Sequence, residues 1–436
     1  MRKCIILGAG GKDFHVFMTL YRDDPEVEVV CFTATQIPGI DRRVFPAAMA
    51  GPRYPDGIPI FPERDLVKLI ERFGAEEVVF AYSDVSYDYV EQRRGLVEKA
   101  GARLTLPDPN AVMLEGEKPV VAVCAVRTGA GKSPASRRVV SVLRSHGLHT
   151  IVVRHPMPYG DLEDQRVQRF ETIDDMTRGH CTIEEMEEYE PHINNGAVVM
   201  AGVDYAAVLR EAEAEADVVI WDGGNNDTPF FRPRLHLVVV DPLRAGHELS
   251  YYPGRENFEM ADLIIVTKVD MANEEQLTTV RKNIAEHNPD AAVIEAILEV
   301  SVDGGGEIVA GKRVLVVEDG PTTTHGEMGY GAGVVAARRY GAAELIDPRP
   351  FAVGSIAEAF RKYPHMGAML PALGYSDEQM TELRRTIRRA SPELVVVATP
   401  VDLRRVLKID VPMACVRYEL REVEGSLEDA LAPLWR

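Results

Sequence analysis

The run Val121-Ala122-Val123-Cys124-Ala125-Val126-Arg127-Thr128-Gly129-Ala130-Gly131-Lys132-Ser133 limits what this chain can fold into more than any other. An apolar, strand-like stretch turns through glycines into Lys-Ser and a helix, the order a phosphate-binding loop requires. Gly129 and Gly131 let the backbone N–H groups of the turn, Thr128 and Ala130 included, face an anion. Lys132 is placed to reach the β- and γ-phosphates, Ser133 to ligate Mg²⁺, and the helix N-terminus to add its dipole. Pro134 suits a first helical turn, Val139, Val140 and Leu143 fit a helical stripe, and Gly147 is a stop signal. Val126 stands where the usual G-x-x-x-x-G-K-[ST] pattern has its first glycine.

The 436 residues are enough for two or three domains, and 46% hydrophobic residues is a globular composition. With 49 basic against 68 acidic residues the net charge is −19, which argues against a nucleic-acid or anionic-membrane partner. An anionic ligand must then be held by a local cluster of Arg, Lys and backbone N–H groups. The five cysteines show no C-x-x-C spacing, so neither zinc nor a disulfide framework is indicated. The opening apolar run is too short for a signal peptide and no stretch approaches a membrane span, so a cytoplasmic location is expected.

Strand and helix patterns alternate through the first hundred residues, with strands expected at 3–7, 27–33 and 78–81. This predicts a Rossmann-like N-terminal domain over 1–115. Its first turn, Gly8-Ala9-Gly10-Gly11-Lys12-Asp13-Phe14-His15, is a weak dinucleotide signal, because the second strand ends without the acidic residue that would bind a ribose. Gly10, Gly11 and Lys12 are instead candidates for substrate binding. Six prolines between 37 and 62 suggest an ordered functional loop. A second α/β series follows, giving an NTPase core over 116–345 with a parallel sheet. Strands are expected at 150–153, 197–200, 218–221, 235–240, 263–267, 293–297 and 314–317, and the acidic stretch 184–190 reads as a solvated helix face. The segment 346–436 is expected to be helical over 355–390 and to finish the same sheet with strands at 394–398 and 413–418.

Asp222 ends an apolar run and precedes two glycines, which fits a Walker B position, a carboxylate beside the loop that holds Mg²⁺ with Ser133. Thr267-Lys268-Val269-Asp270 resembles the [NT]-K-x-D guanine-recognition motif, with Lys268 beside the base and Asp270 accepting from it. Pro400 and Asp402, after a late strand, are candidates for the other wall of that pocket. Arg154 and His155 follow the strand after the loop helix, where Arg154 can clamp an anionic substrate and His155 can bind it. The run 318–333 is dense in glycine, hydroxyls and acid. Its Thr322, Thr323 and Thr324 are substrate-binding candidates, and His325 is a proton-transfer or substrate-binding candidate.

These motifs together resemble the cyclic 2,3-diphosphoglycerate synthetase-like family, in its predicted-GTPase branch, over nearly the whole chain. The resemblance implies a P-loop NTPase that uses ATP or GTP with Mg²⁺ to activate or cyclise a small phosphorylated acid. The modified loop is similar to that of SIMIBI-type NTPases, so the expected fold class is α/β, a Rossmann-like domain joined to a SIMIBI-type P-loop domain. Arg127 occupies the place where some of that group carry a signature lysine, able to reach a phosphate in cis or across a nucleotide-sandwiching homodimer. Lys132, Arg127, Asp222, Arg154 and His325 are the expected catalytic set, working through position and charge. A regulatory or metallochaperone-like GTPase is the alternative reading.

Overall fold

Runs of Val, Ile and Leu that are buried on both faces set the architecture, as parallel strands covered by helices require. Strands Val120–Ala125, Val218–Trp221, Leu235–Val240 and Leu263–Val266 are almost entirely buried. In the computed structural model of the protein, the described residues are 1–35, 43–157, 160–224, 226–320, 323, 329–373, 376–399, 403–407 and 409–435.

A six-stranded sheet contains Val44–Phe45, Ile58–Pro62, Val27–Ala34, Arg2–Leu7, Glu77–Phe80 and Arg103–Thr105 in that order. It is parallel except for the two-residue edge strand. Strand Ile58–Pro62 lies in the proline-rich stretch expected to be a loop. Its Ile58 and Ile60 alternate with Pro59 and Phe61 and point into the core, a period of two that the prolines disguise.

The second sheet has thirteen strands. Its first part runs Gln168–Phe170, Val198–Ala201, Thr150–Arg154, Val218–Trp221, Val120–Ala125, Leu235–Val240, Leu263–Val266 and Ala292–Val302, parallel apart from the first. Helix Lys132–Ser145 covers it, placing Val139, Val140 and Leu143 in one core with Val121, Val123 and Leu420. Strand Met413–Glu424 then pairs antiparallel with Ala292–Val302 and parallel with Leu394–Ala398, which leads to Arg313–Asp319, Glu344–Leu345 and Leu370–Ala372. The expected boundary at 345 therefore falls within a hydrogen-bonded group of strands. Both joining strands are longer than expected, because their alternating residues continue as exposed β-ladder.

The expected helix over 355–390 is instead Gly354–Lys362, strand Leu370–Ala372 and helix Asp377–Ala390. The acidic stretch is part of helix Ile183–Asn194, but it is not merely a solvated face: Glu185 is buried and Glu188 is paired to Arg154.

The two sheets meet at their carboxyl ends. Val85–Ser86 pairs antiparallel with Tyr251–Tyr252, and the Tyr87 hydroxyl donates to Glu256 at 2.5 Å. Just beyond, the backbone of Gly254 presses on the start of the phosphate loop, where a Cβ would lie 2.3 Å from the Val126 carbonyl oxygen. A methyl group there must push the two segments apart. Gly254→Ala should therefore cost about 1–3 kcal/mol of stability, read as a lower midpoint in calorimetric unfolding, and an unchanged midpoint would show that the contact yields freely.

Candidate active site

The phosphate loop leaves strand Val120–Ala125 and enters helix Lys132–Ser145 with Gly129 at φ +80° and Gly131 at φ +108°, the left-handed region that favours glycine. The loop is braced from below. Thr267 donates its hydroxyl to the Ala130 carbonyl at 2.6 Å, and Lys268 donates to the Gly129 carbonyl at 2.7 Å and to Asp241 at 2.8 Å. Burial lowers the Lys268 pKa, opposed by the Asp241 carboxylate. Lys268 thus holds the loop, while Asp270 is exposed in the turn after it. Ser133 is exposed on the helix's first turn.

Asp222 has no exposed surface. Lys132 donates to its Oδ1 at 2.5 Å and to the Gly223 carbonyl at 2.6 Å. Arg154 lies 3.0 Å from the same Oδ1 and bonds the Asp222 carbonyl at 2.7 Å, and His192 Nε2 meets Oδ2 at 2.9 Å. Burial pushes the Asp222 pKa up, but the charges of Arg154 and Lys132 and the His192 bond overcome it and hold the carboxyl well below its ordinary range. Arg154 is completed by Glu188. His192 and Glu188 come from helix Ile183–Asn194, and no spacing in the sequence ties them to Asp222.

The N-terminal unit contributes a second cluster. Lys12, buried, lies 3.5 Å from the Ser83 and Tyr252 hydroxyls, 4.0 Å from Asp227 and 4.6 Å above the Tyr252 ring. Burial lowers its pKa against the pull of Asp227 and Glu256. Asp227 is also bonded by Ser83 and lies 3.1 Å from His155 Nε2, while His155 Nδ1 faces the Tyr205 hydroxyl. Gly11 packs beside the same imidazole, so the substrate-binding candidates Gly10, Gly11, Lys12 and His155 lie near one another. The amides of Gly10 and Gly11, however, are already taken by the Asp13 carboxylate at 2.9 and 3.2 Å. Burial raises that carboxyl to about 6 although these N–H groups favour its charge. His15 is structural here: its Nε2 lies 2.6 Å from the Val112 carbonyl, its ring stacks on Phe230, and burial lowers it to about 3.

Arg127 is held by residues outside the loop. It is buried, with Nε donating to Asp84 at 2.9 Å, Nη1 to His247 Nδ1 at 2.8 Å, and its guanidinium 3.6 Å above the Tyr251 ring. Asp84 also accepts from the Thr128 backbone N–H at 3.2 Å, and Asn226 donates to the Thr128 hydroxyl at 3.2 Å. Asp84, Ser83 and Asn226 were invisible to motif reading because their partners lie in other elements. Thr323 spends its hydroxyl on the Asp319 and Gly320 carbonyls. Thr322, Thr324, His325, Pro400 and Asp402 lie outside the described residues.

The chain resembles known proteins over different spans. The sequence profile of the cyclic 2,3-diphosphoglycerate synthetase P-loop domain matches residues 193–297, which include Asp222 and Lys268 but begin after the phosphate loop. Arginine synthetase ArcE of Thermococcus kodakarensis is 55% identical over 431 residues, 99% of this chain and 96% of its own. Cyclic 2,3-diphosphoglycerate synthetase of Thermococcus sibiricus is 30% identical over 96 residues, 22% of this chain and 21% of its own. Among solved structures, LpxK of Aquifex aeolicus in complex with ATP has a TM-score of 0.43 at 10% identity, covering 85% of this chain and 100% of that one, a likeness too slight to build on.

One group in the 318–333 run has a titration of its own. Glu318, buried at the end of strand Arg313–Asp319, accepts from the Gly331 and Val334 N–H groups at 3.2 and 2.8 Å and so caps helix Ala332–Arg339. Burial raises its pKa from 4.5 to about 7 despite those bonds. Between these values the folded state holds a proton that the unfolded state has lost, so stability falls as pH rises through the interval. The loss is on the order of 3 kcal/mol. Denaturant titrations from pH 4.5 to 7 should show stability falling more steeply in the parent than in Glu318→Gln, whereas parallel curves would clear Glu318 of the effect.

Proposed function

Because the chain belongs to the cyclic 2,3-diphosphoglycerate synthetase-like family, we propose that it is a nucleotide-driven synthetase whose product is arginine. The observation that carries this reading is the 55% identity to arginine synthetase ArcE over 99% of the chain. A guanidino carbon is at the oxidation level of urea, so a synthetase must turn a ureido oxygen into a leaving group. Transfer of the terminal phosphoryl group to that oxygen, then attack by an amine, forms the C–N bond and releases inorganic phosphate, while the nucleoside diphosphate and one amine proton also leave.

The residues suit this division of labour. The loop amides and Lys132 would neutralise the phosphates, and Arg154, fixed by Glu188, reaches the same Asp222 oxygen as Lys132 from the strand on the far side of Val218–Trp221. Asp222 is a poor proton acceptor here, because its cations hold it ionised. Among the described residues no group of three or more His, Cys, Asp or Glu could hold a metal unaided. Mg²⁺ needs only one or two protein oxygens beside phosphate and water. The exposed Ser133 hydroxyl suits that role, and the Asp222 carboxylate would join it where Lys132 turns from Asp222 to phosphate, so that the ion would neutralise phosphate charge. We read the N-terminal sheet as Rossmann-like and its Lys12–His155 side as the small-molecule side, and place the protein in the cytoplasm.

The test is incubation with ATP or GTP, Mg²⁺, a ureido amino acid and ammonium, with arginine and nucleoside diphosphate quantified. Both should accumulate in equal amounts, and Lys132→Ala should lower the rate by about 10²–10³ with an unchanged circular dichroism spectrum. The profile match over 193–297 favours a second reading, anhydride formation on a small phosphorylated acid, and 2,3-diphosphoglycerate in a parallel reaction tests it. Hydrolysis of GTP with no product from either substrate would replace both with a switch GTPase.

Base choice follows from residues 267–270. The guanine reading gives the base contact to Asp270, which is exposed in the turn after Lys268. Asp270→Asn should weaken GTP and strengthen xanthosine triphosphate, whose 2-oxo group calls for a donor. Tighter binding of ATP than of GTP by the parent would refute the guanine reading.

A further inference from the structure

We propose that Asp84, carried by the N-terminal unit, is an internal stand-in for the nucleotide's terminal phosphate, and that it must leave the phosphate loop before a triphosphate is fully seated. The proposal rests on the nucleotide reading of the loop and identifies the positioning residue that regulates its loading.

The geometry is that of an anion in an anion site. One oxygen of Asp84 takes the Thr128 backbone N–H at 3.2 Å and the other takes Arg127 Nε at 2.9 Å. Loop N–H groups of this kind are the donors such turns aim at phosphate. Arg127 stands at the loop's second position, where a guanidinium can serve a phosphate, yet its Nε donor is committed to a neighbour from another unit. Polyphosphate brought to this loop adds like charge beside the Asp84 carboxylate, which lies only a few ångströms from the donors that the phosphate needs. The ion pair is also buried, with side chains 2% and 8% exposed, a placement that contributes little net stability.

The turn carrying the carboxylate has the features of a two-position element. Asp84 is a non-glycine residue at φ +56°, a conformation that persists only when its contacts hold it. On its far side the chain is anchored, because Val85–Ser86 pairs with Tyr251–Tyr252. On its near side Ser83 contacts Asp227 and lies 3.5 Å from Lys12. A substrate held by the Lys12–Asp227 cluster therefore acts directly on the residue before Asp84. Withdrawal of the Asp84 carboxylate frees Thr128 N–H and hands Arg127 to the phosphate. Nucleotide loading is in this way linked to the N-terminal unit without any large rearrangement.

The experiment is calorimetric titration of the full chain with a non-hydrolysable triphosphate and with the diphosphate, for the parent, Asp84→Asn and Asp84→Glu. Asp84→Asn should bind the triphosphate at least about tenfold tighter, gain much less for the diphosphate, and hydrolyse ATP or GTP faster in the absence of a second substrate. Asp84→Glu, which keeps the charge, should stay near the parent. The gain should disappear in the Asp84→Asn, Arg127→Ala double variant, because Arg127 is the group released. A merely structural Asp84 gives weaker binding of both nucleotides, and that result, or unchanged affinity in a folded variant, overturns the proposal. Should Asp84→Asn not fold, Asp84→Ser makes the same comparison. Failure of the parent to bind any nucleotide in a Lys132-dependent way would instead sink the reading of the loop itself.

Discussion

The carboxylate of Asp222 has no contact with solvent, and the rest of the site is arranged to make that burial tolerable. An isolated ion there would be prohibitively unstable. Lys132 from the phosphate loop, Arg154 from the adjacent strand and His192 from helix Ile183–Asn194 answer it. Each partner comes from a different element, so the strand order that brings Thr150–Arg154, Val218–Trp221 and Val120–Ala125 side by side is also what assembles the site. The loop's lysine and the strand's arginine share this acid, and the arginine has Glu188 as a second partner. In the proposed synthetase, phosphate would have to exchange one set of charge partners for another.

The same pairing of cation and acid recurs along the seam between the two units. Asp84 answers Arg127, and Asp227 lies beside Lys12 and His155. In a chain with net charge −19, each of these buried cations has an acid beside it.

Local signals were legible in the sequence where one element holds the whole message. Strand, glycine turn, Lys-Ser and helix stop at 121–147 declare themselves within a single stretch, and the structure has that order. Asp222 after an apolar run is similarly local. What was hidden has a partner far along the chain. Glu188 reads as one acid in a solvated run, yet Arg154 turns it inward. Asp84 follows a strand with no motif around it, and only the pairing of 85–86 with 251–252 sets it against the loop. Ile58–Pro62 was obscured by proline, since composition outweighed its alternation. The antiparallel strand Met413–Glu424 was only partly legible, because its outer half is polar and its partner lies over a hundred residues away.

The glycine turn of the N-terminal unit carries a different lesson. Asp13 folds back so that its oxygens receive the amides of Gly10, Gly11 and Phe14. A pyrophosphate approaching this turn would meet a negative side chain before it met a donor. A segment with the outline of a cofactor-binding fingerprint has thus become a self-sealed knuckle beside Lys12. Grafting dinucleotide dependence onto this unit would have to begin by deleting that acid, and the same deletion would remove a negative charge that helps keep the buried Lys12 protonated.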